Sequence, residues 1–147
     1  MWYTRGFRHN APVFGEAEQQ AGANYIATFI RAEKNILSLD LSKSYPEDAG
    51  VVSFVRTLNF TPEKVVLRDE FQLKKATESR IKFLTPQDVK LLADGTLQIG
   101  NARLILTGIQ VEKTEARPKM NSSWNCVLTE IILKSTHNSY TVTFTGK

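Results

Sequence analysis

The feature that most constrains this chain is its period. From about residue 22 onward, short apolar runs recur with turn residues between them, and no window sustains the i, i+3, i+4, i+7 spacing of an amphipathic helix over three turns. Successive side chains point to opposite faces only in extended backbone, so a chain patterned this way has to build sheets. The predicted strands are Asn24 to Arg31, Asn35 to Leu41, Val51 to Phe60, Val65 to Leu73, Ser79 to Leu84, Val89 to Ala93, Thr96 to Ile99, Ala102 to Val111, Trp124 to Leu133 and Tyr140 to Thr145. In the last of these Tyr140, Val142 and Phe144 share one side and three threonines the other, which suits a strand covered on one face. Trp124 to Leu133 is apolar on both sides, as a central strand should be. Two stacked antiparallel sheets accommodate both kinds. The predicted fold is therefore all-β, a two-layer antiparallel β-sandwich (supersandwich-like) of about ten strands. At 147 residues it is expected to form a single domain, with 1–22 as an irregular lead-in and 23–147 as the sandwich.

Turn residues fix some of the pairings. Asp94-Gly95 and Gly100-Asn101 accept the positive φ of two-residue hairpin loops, so Val89 to Leu106 reads as a three-strand meander. The loop Thr136 to Ser139 is predicted to close another hairpin. Lys113 to Ser123, polar and containing Pro118, is the expected long exposed loop. Thr61-Pro62-Glu63-Lys64 suits a type I turn between two long strands. If it closes symmetrically, Phe60 faces Val65, Leu58 faces Leu67, Arg56 faces Asp69, Phe54 faces Phe71 and Val52 faces Leu73. The two charges on that face then fall opposite each other. Two readings of Arg56 and Asp69 stand: an ion pair that fixes register, or part of a groove for an acidic sugar.

Composition excludes several function classes. The net charge of +4 suits an anionic partner, but Lys and Arg are scattered among Asp and Glu, so nucleic-acid binding is not expected. No apolar run approaches the roughly 20 residues of a membrane-spanning helix, and the first five residues do not resemble a signal peptide. One cysteine, Cys126, rules out an internal disulfide; set in an apolar run, it reads as a small buried hydrophobe rather than a reactive thiol. Phosphate-binding glycine loops, His-Glu-x-x-His and the nucleophile elbow are missing from the sequence. Of the two histidines, His137 sits in a polar turn and reads as solvated, and two Asn-x-Ser/Thr sequences, at Asn59 and Asn121, are short enough to arise by chance. No catalytic residue is assigned within this chain.

His9 stands in a more distinctive setting. Gly6-Phe7-Arg8-His9-Asn10-Ala11-Pro12-Val13, followed by Gly15, Gln19 and Gly22, resembles the His-Asn-x-Pro segment of heparinase II/III-like polysaccharide lyases. Further pieces follow in the same order. Leu39 to Gly50, with Asp40 and Ser44-Tyr45-Pro46, is similar to that family's Asp…Ala/Ser-Tyr-Pro stretch; Arg56-Thr57, Asp69-Glu70-Phe71, Leu84-Thr85-Pro86 and Trp124 with Thr129 to Leu133 also have counterparts. The resemblance implies the C-terminal β-sandwich of an enzyme that joins an α/α toroid to a β region. Such enzymes cleave acidic polysaccharides such as heparin, heparan sulfate or alginate by β-elimination in the periplasm or outside the cell. A base removes the C5 proton of a uronic acid while an acid protonates the leaving oxygen. The catalytic Tyr and His of the family lie in the toroid and the earlier β segment, so this chain alone should be inactive. The resemblance further implies zinc in the whole protein, with His9 as one candidate ligand beside upstream partners and Asn10 orienting it. A structural or substrate-edge histidine is the competing reading, and the isolated chain is expected to hold no cofactor. The alternative function is a carbohydrate-binding or structural module, in which aromatics such as Trp2, Tyr3, Tyr25 and Tyr45 stack on sugars without chemistry.

Overall fold

A computed structural model describes residues 10–117 and 126–146. The chain is all-β, with its strands in two antiparallel sheets. In order the strands are β1 (Val13–Phe14), β2 (Thr28–Glu33), β3 (Ile36–Asp40), β4 (Val51–Phe60), β5 (Lys64–Leu73), β6 (Ser79–Thr85), β7 (Val89–Leu91), β8 (Leu97–Ile99), β9 (Ala102–Thr107), β10 (Gln110–Arg117), β11 (Leu128–Ser135) and β12 (Ser139–Thr145). The larger sheet runs β2-β3-β4-β5-β12-β9-β8-β7, and the smaller β1-β6-β11-β10. Between them lie the inward residues of alternating strands, among them Phe54, Leu67, Phe71, Leu104 and Val142 from one sheet and Ile81, Phe83, Ile131 and Leu133 from the other. Burying each such side chain contributes about 1.5–3 kcal/mol.

The meander β7-β8-β9 forms, and Gly100-Asn101 is the two-residue loop expected, with Ile99 opposite Ala102. The β7–β8 connection is longer than the expected Asp94-Gly95 pair, since Leu91 faces Leu97 and the Leu92 N–H donates to the Thr96 carbonyl. The β4–β5 hairpin also takes the symmetric register, from Phe60 opposite Val65 to Phe54 opposite Phe71. At its far end a bulge intervenes: Val51, not Val52, faces Leu73, and Val52 turns out to solvent.

Other expectations are corrected. The predicted strand Ala102 to Val111 is two strands in different sheets, broken at Gly108, whose φ of +70° takes the chain across the sandwich. Much of the expected loop from Lys113 is strand β10, which is polar because it is the edge of the smaller sheet. Thr136 to Ser139 closes no hairpin. It is an arch that carries the chain from β11 in the smaller sheet to β12 at the heart of the larger one. A short polar loop looks the same in sequence whether its flanking strands pair or face each other. Cys126 lies before β11 and is exposed. The lead-in is partly core, since Ala11, Val13 and Phe14 are buried and β1 pairs with β6. Trp2, Tyr3, His9, Asn121 and Trp124 lie outside the described residues.

Candidate functional site

The most elaborate polar arrangement grows from the Arg56–Asp69 register. Arg56 Nε and Nη2 donate to the two carboxylate oxygens of Asp69 at 2.7 and 2.6 Å, a bidentate contact. Asp69 is fully buried and Arg56 only 12% exposed. β12 pairs with β5 so that Tyr140 faces Asp69, and its hydroxyl donates to Asp69 Oδ2 at 2.6 Å. The guanidinium also approaches the Phe54 ring. Burial alone would lower the Arg56 pKa, but hydrogen bonding to Asp69 and its charge outweigh that and hold it above its ordinary value. Burial pushes the Tyr140 hydroxyl well above the tyrosine range, reinforced by the Asp69 charge. With the pair enclosed in the core, this face offers no groove for an acidic sugar.

One donor of the guanidinium faces elsewhere. Arg56 Nη1 donates to the carbonyl of Asn10 at 2.8 Å. Asn10 has a φ of +58°, a left-handed conformation that asparagine tolerates better than most residues. Two residues on, the carbonyl of Pro12 accepts a 2.7 Å hydrogen bond from the Tyr45 hydroxyl. Tyr45 is itself held by a local device. Asp40 Oδ1 accepts from the backbone N–H and the hydroxyl of Ser42, the Ser42 hydroxyl accepts from the Phe54 N–H, and the resulting 3-10 turn Ser42–Ser44 delivers Tyr45 into the core. The Ser42 hydroxyl also holds the Asp40 carboxyl below its ordinary pKa. Tyr45 packs on Phe14 and Phe54, and burial raises its pKa above the tyrosine range. It is therefore no exposed platform for a sugar ring.

Asp40, Tyr45, Arg56 and Asp69 come from separate places in the chain, yet all act, directly or through one another, on the short segment Asn10-Ala11-Pro12. Alternation places Tyr140 and Arg56 on inward faces only in outline, and it does not place Tyr45, which follows a 3-10 turn. Which hydroxyl meets which carbonyl depends on the β5–β12 pairing and on the path of residues 10–14, and no sequence signal carries either.

Beside this anchor, the loop after β1 borders a groove of about 730 Å³. Phe14, Gly15 and Gln19 line it together with Glu16, Glu18, Asp48 and Lys75. Three carboxylates against one ammonium make its walls acidic, a poor match for a uronate by itself. His137 is exposed in the arch before β12. No three His, Cys, Asp or Glu side chains converge among the described residues, so these residues supply no donor set for the implied zinc.

The fold and its anchor define a β-sandwich that grips its own incoming segment through a buried Arg–Asp–Tyr unit. No family model matches the sequence, and no curated protein matches it. Among solved structures, heparinase III with methylated lysines superposes on 99% of this chain with a TM-score of 0.62 at 13% identity. A second heparinase III structure covers 94% with a TM-score of 0.58 at 11% identity. The chain spans about a quarter of the length of those structures, 24% in both cases. At such identity the likeness is one of fold. No helix among the described residues is long and apolar enough to cross a membrane.

Proposed function

We propose that this chain is the C-terminal β-sandwich of a heparinase II/III-like polysaccharide lyase, acting with the rest of its protein on uronic-acid polysaccharide by β-elimination in the periplasm or outside the cell. The observation that carries the reading is the convergence on residues 10–12. Asp40, Tyr45, Arg56 and Asp69, each part of the sequence resemblance, combine to hold the segment that contains Asn10 and Pro12. The fold likeness to heparinase III over nearly the whole chain supports the same reading.

In this role the sandwich is a scaffold. Arg56 and Tyr45 fix two carbonyls of the lead-in, at Asn10 and Pro12, and so hold its backbone in place. His9 is proposed as one ligand of a zinc site completed by upstream residues, with Asn10 beside it; the toroid supplies the acid and base. The catalytic step gains nothing from Tyr45 or Tyr140, whose hydroxyls are buried and committed as donors.

The test has two parts. Incubated with heparin, heparan sulfate or alginate, the isolated chain should generate no ultraviolet-absorbing unsaturated uronate, and titration with acidic and neutral oligosaccharides should be flat. Cleavage by the isolated chain would overturn the scaffold reading, and measurable glycan affinity would favour a carbohydrate-binding module instead. The reading also requires a reading frame that encodes a toroid and a His-x-His upstream of residue 1.

A further inference from the structure

The ends of the two sheets are protected very unevenly. At the exposed ends of the described sheets, β1 has two residues and β7 three, too short to template another strand. β10 has eight, but four are charged (Glu112, Lys113, Glu115 and Arg117) and a bulge at Val111/Lys113 twists it away. Short strands, charges and bulges are the usual devices that keep sheet edges from pairing. β2 differs. All six of its residues are exposed, and Phe29 and Ile30 remain 72% and 56% exposed at its start. Its only charges are Arg31 and Glu33, which neutralise each other through a bidentate contact at 2.7 and 2.6 Å.

The β2–β3 hairpin shows which backbone groups are free. Glu33 faces Ile36 across the two-residue loop Lys34-Asn35, so that pair exchanges hydrogen bonds. The next pair, Ala32 with Leu37, is then the non-hydrogen-bonded kind, and the N–H and C=O of Ala32 point out along the open edge. A two-fold axis through Ala32 makes this edge self-complementary. Ala32 meets Ala32 of a second copy and exchanges both hydrogen bonds. Arg31 falls opposite Glu33 and Glu33 opposite Arg31. The register shift at Ile30 ends the regular ladder there. Each ion pair within a strand is exchanged for one across strands, with no charge left facing its like.

We infer that two copies of this chain associate through β2, antiparallel about Ala32, joining their larger sheets into one continuous sheet. The contact is isologous, so it closes at a dimer and does not propagate. A ladder of about three residues per copy is small, which places the dissociation constant in roughly the upper micromolar range.

Charge exchange gives a test that general stickiness cannot pass. Sedimentation of the 147-residue chain from roughly 10 to 300 μM should show a monomer–dimer equilibrium. Arg31→Glu leaves two acids at the contact and Glu33→Arg two bases, so each variant alone should dimerise at least tenfold more weakly. Mixed in equal amounts, the two variants meet as acid opposite base and should associate with wild-type affinity to within about threefold. Circular dichroism checks that every variant keeps its sheet content. A wild type that stays monomeric throughout would overturn the proposal. So would a dimer indifferent to the single reversals, or a mixture no tighter than its components. These results are independent of lyase activity, so this inference and the proposed function can fail separately.

Discussion

Asp69 is the residue on which most depends. Its carboxylate is fully buried, accepts two hydrogen bonds from Arg56 and one from Tyr140, and through Arg56 fixes the carbonyl of Asn10. Asp69→Ala strands a guanidinium in the core, and chemical denaturation should show a loss of about 3–5 kcal/mol. Tyr140→Phe removes one bond to a charged acceptor and should lose about 1.5–3 kcal/mol. Replacing both charges, as in Arg56→Met with Asp69→Leu, should cost less than Asp69→Ala because no charge is left unpaired. The double variant still frees the Asn10 carbonyl, so hydrogen exchange across residues 10–14 should quicken even where global stability recovers. The tyrosines give a pH prediction. The folded pKa values of Tyr45 and Tyr140 lie above their unfolded values near 10, so their contribution is complete below pH 10 and is lost as pH rises further. The chain should unfold in alkali. Tyr45→Phe and Tyr140→Phe should remove none of the phenolate absorbance that develops before unfolding.

At the scale of elements, two of the crossings between sheets lie side by side, joined by a hydrogen bond from the Ser135 hydroxyl to the Gly108 carbonyl. The turn at Gly108 links β9 to β10, and the arch after Ser135 links β11 to β12. Gly108 combines a φ of +70° with a space so tight that an added Cβ would lie 2.9 Å from the Ser139 carbonyl oxygen. Gly95, in the β7–β8 turn, has a φ of +80° with open space around it. Gly95→Ala should therefore cost only the left-handed penalty of about 1–2 kcal/mol. Gly108→Ala should cost clearly more, since backbone must also move, and paired thermal melts would show the order. Strand β11 carries the other point of interest at this scale. Its sequence reads as apolar on both faces, yet Glu130 is fully buried on the outward face of the smaller sheet. Lys82 lies 2.9 Å away and Arg117 2.8 Å. Burial would raise the Glu130 pKa, but those two hydrogen bonds outweigh it and hold the carboxyl below its usual range.

For the whole molecule, the decisive fact is that the last strand in sequence is not last in space. β12 inserts between β5 and β9, and both rely on it for a ladder. A chain ending at residue 138 should lose its cooperative melting transition and its near-ultraviolet dichroism, because the larger sheet would be left in two pieces with the core side of each open. A truncated chain that still melts cooperatively would contradict this. The all-β class, the meander β7-β8-β9 and the Arg56–Asp69 register were legible because period, turn chemistry and opposed charges are local. β1 was missed because two residues make no pattern, β10 because an edge strand exposed to water looks like a loop, and Tyr45 because an aromatic beside a Pro-Glu-Asp turn looks exposed. The sequence by itself determined that this protein is a sandwich of antiparallel strands, and which face of strands such as β5 and β12 turns inward. Only the tertiary structure decided how the hairpins divide between the sheets and that Tyr45 and Arg56 meet on the Asn10–Pro12 backbone. The physical reason is that alternation specifies what a side chain avoids, whereas a hydrogen-bond partner across the core is chosen by the path of the whole chain.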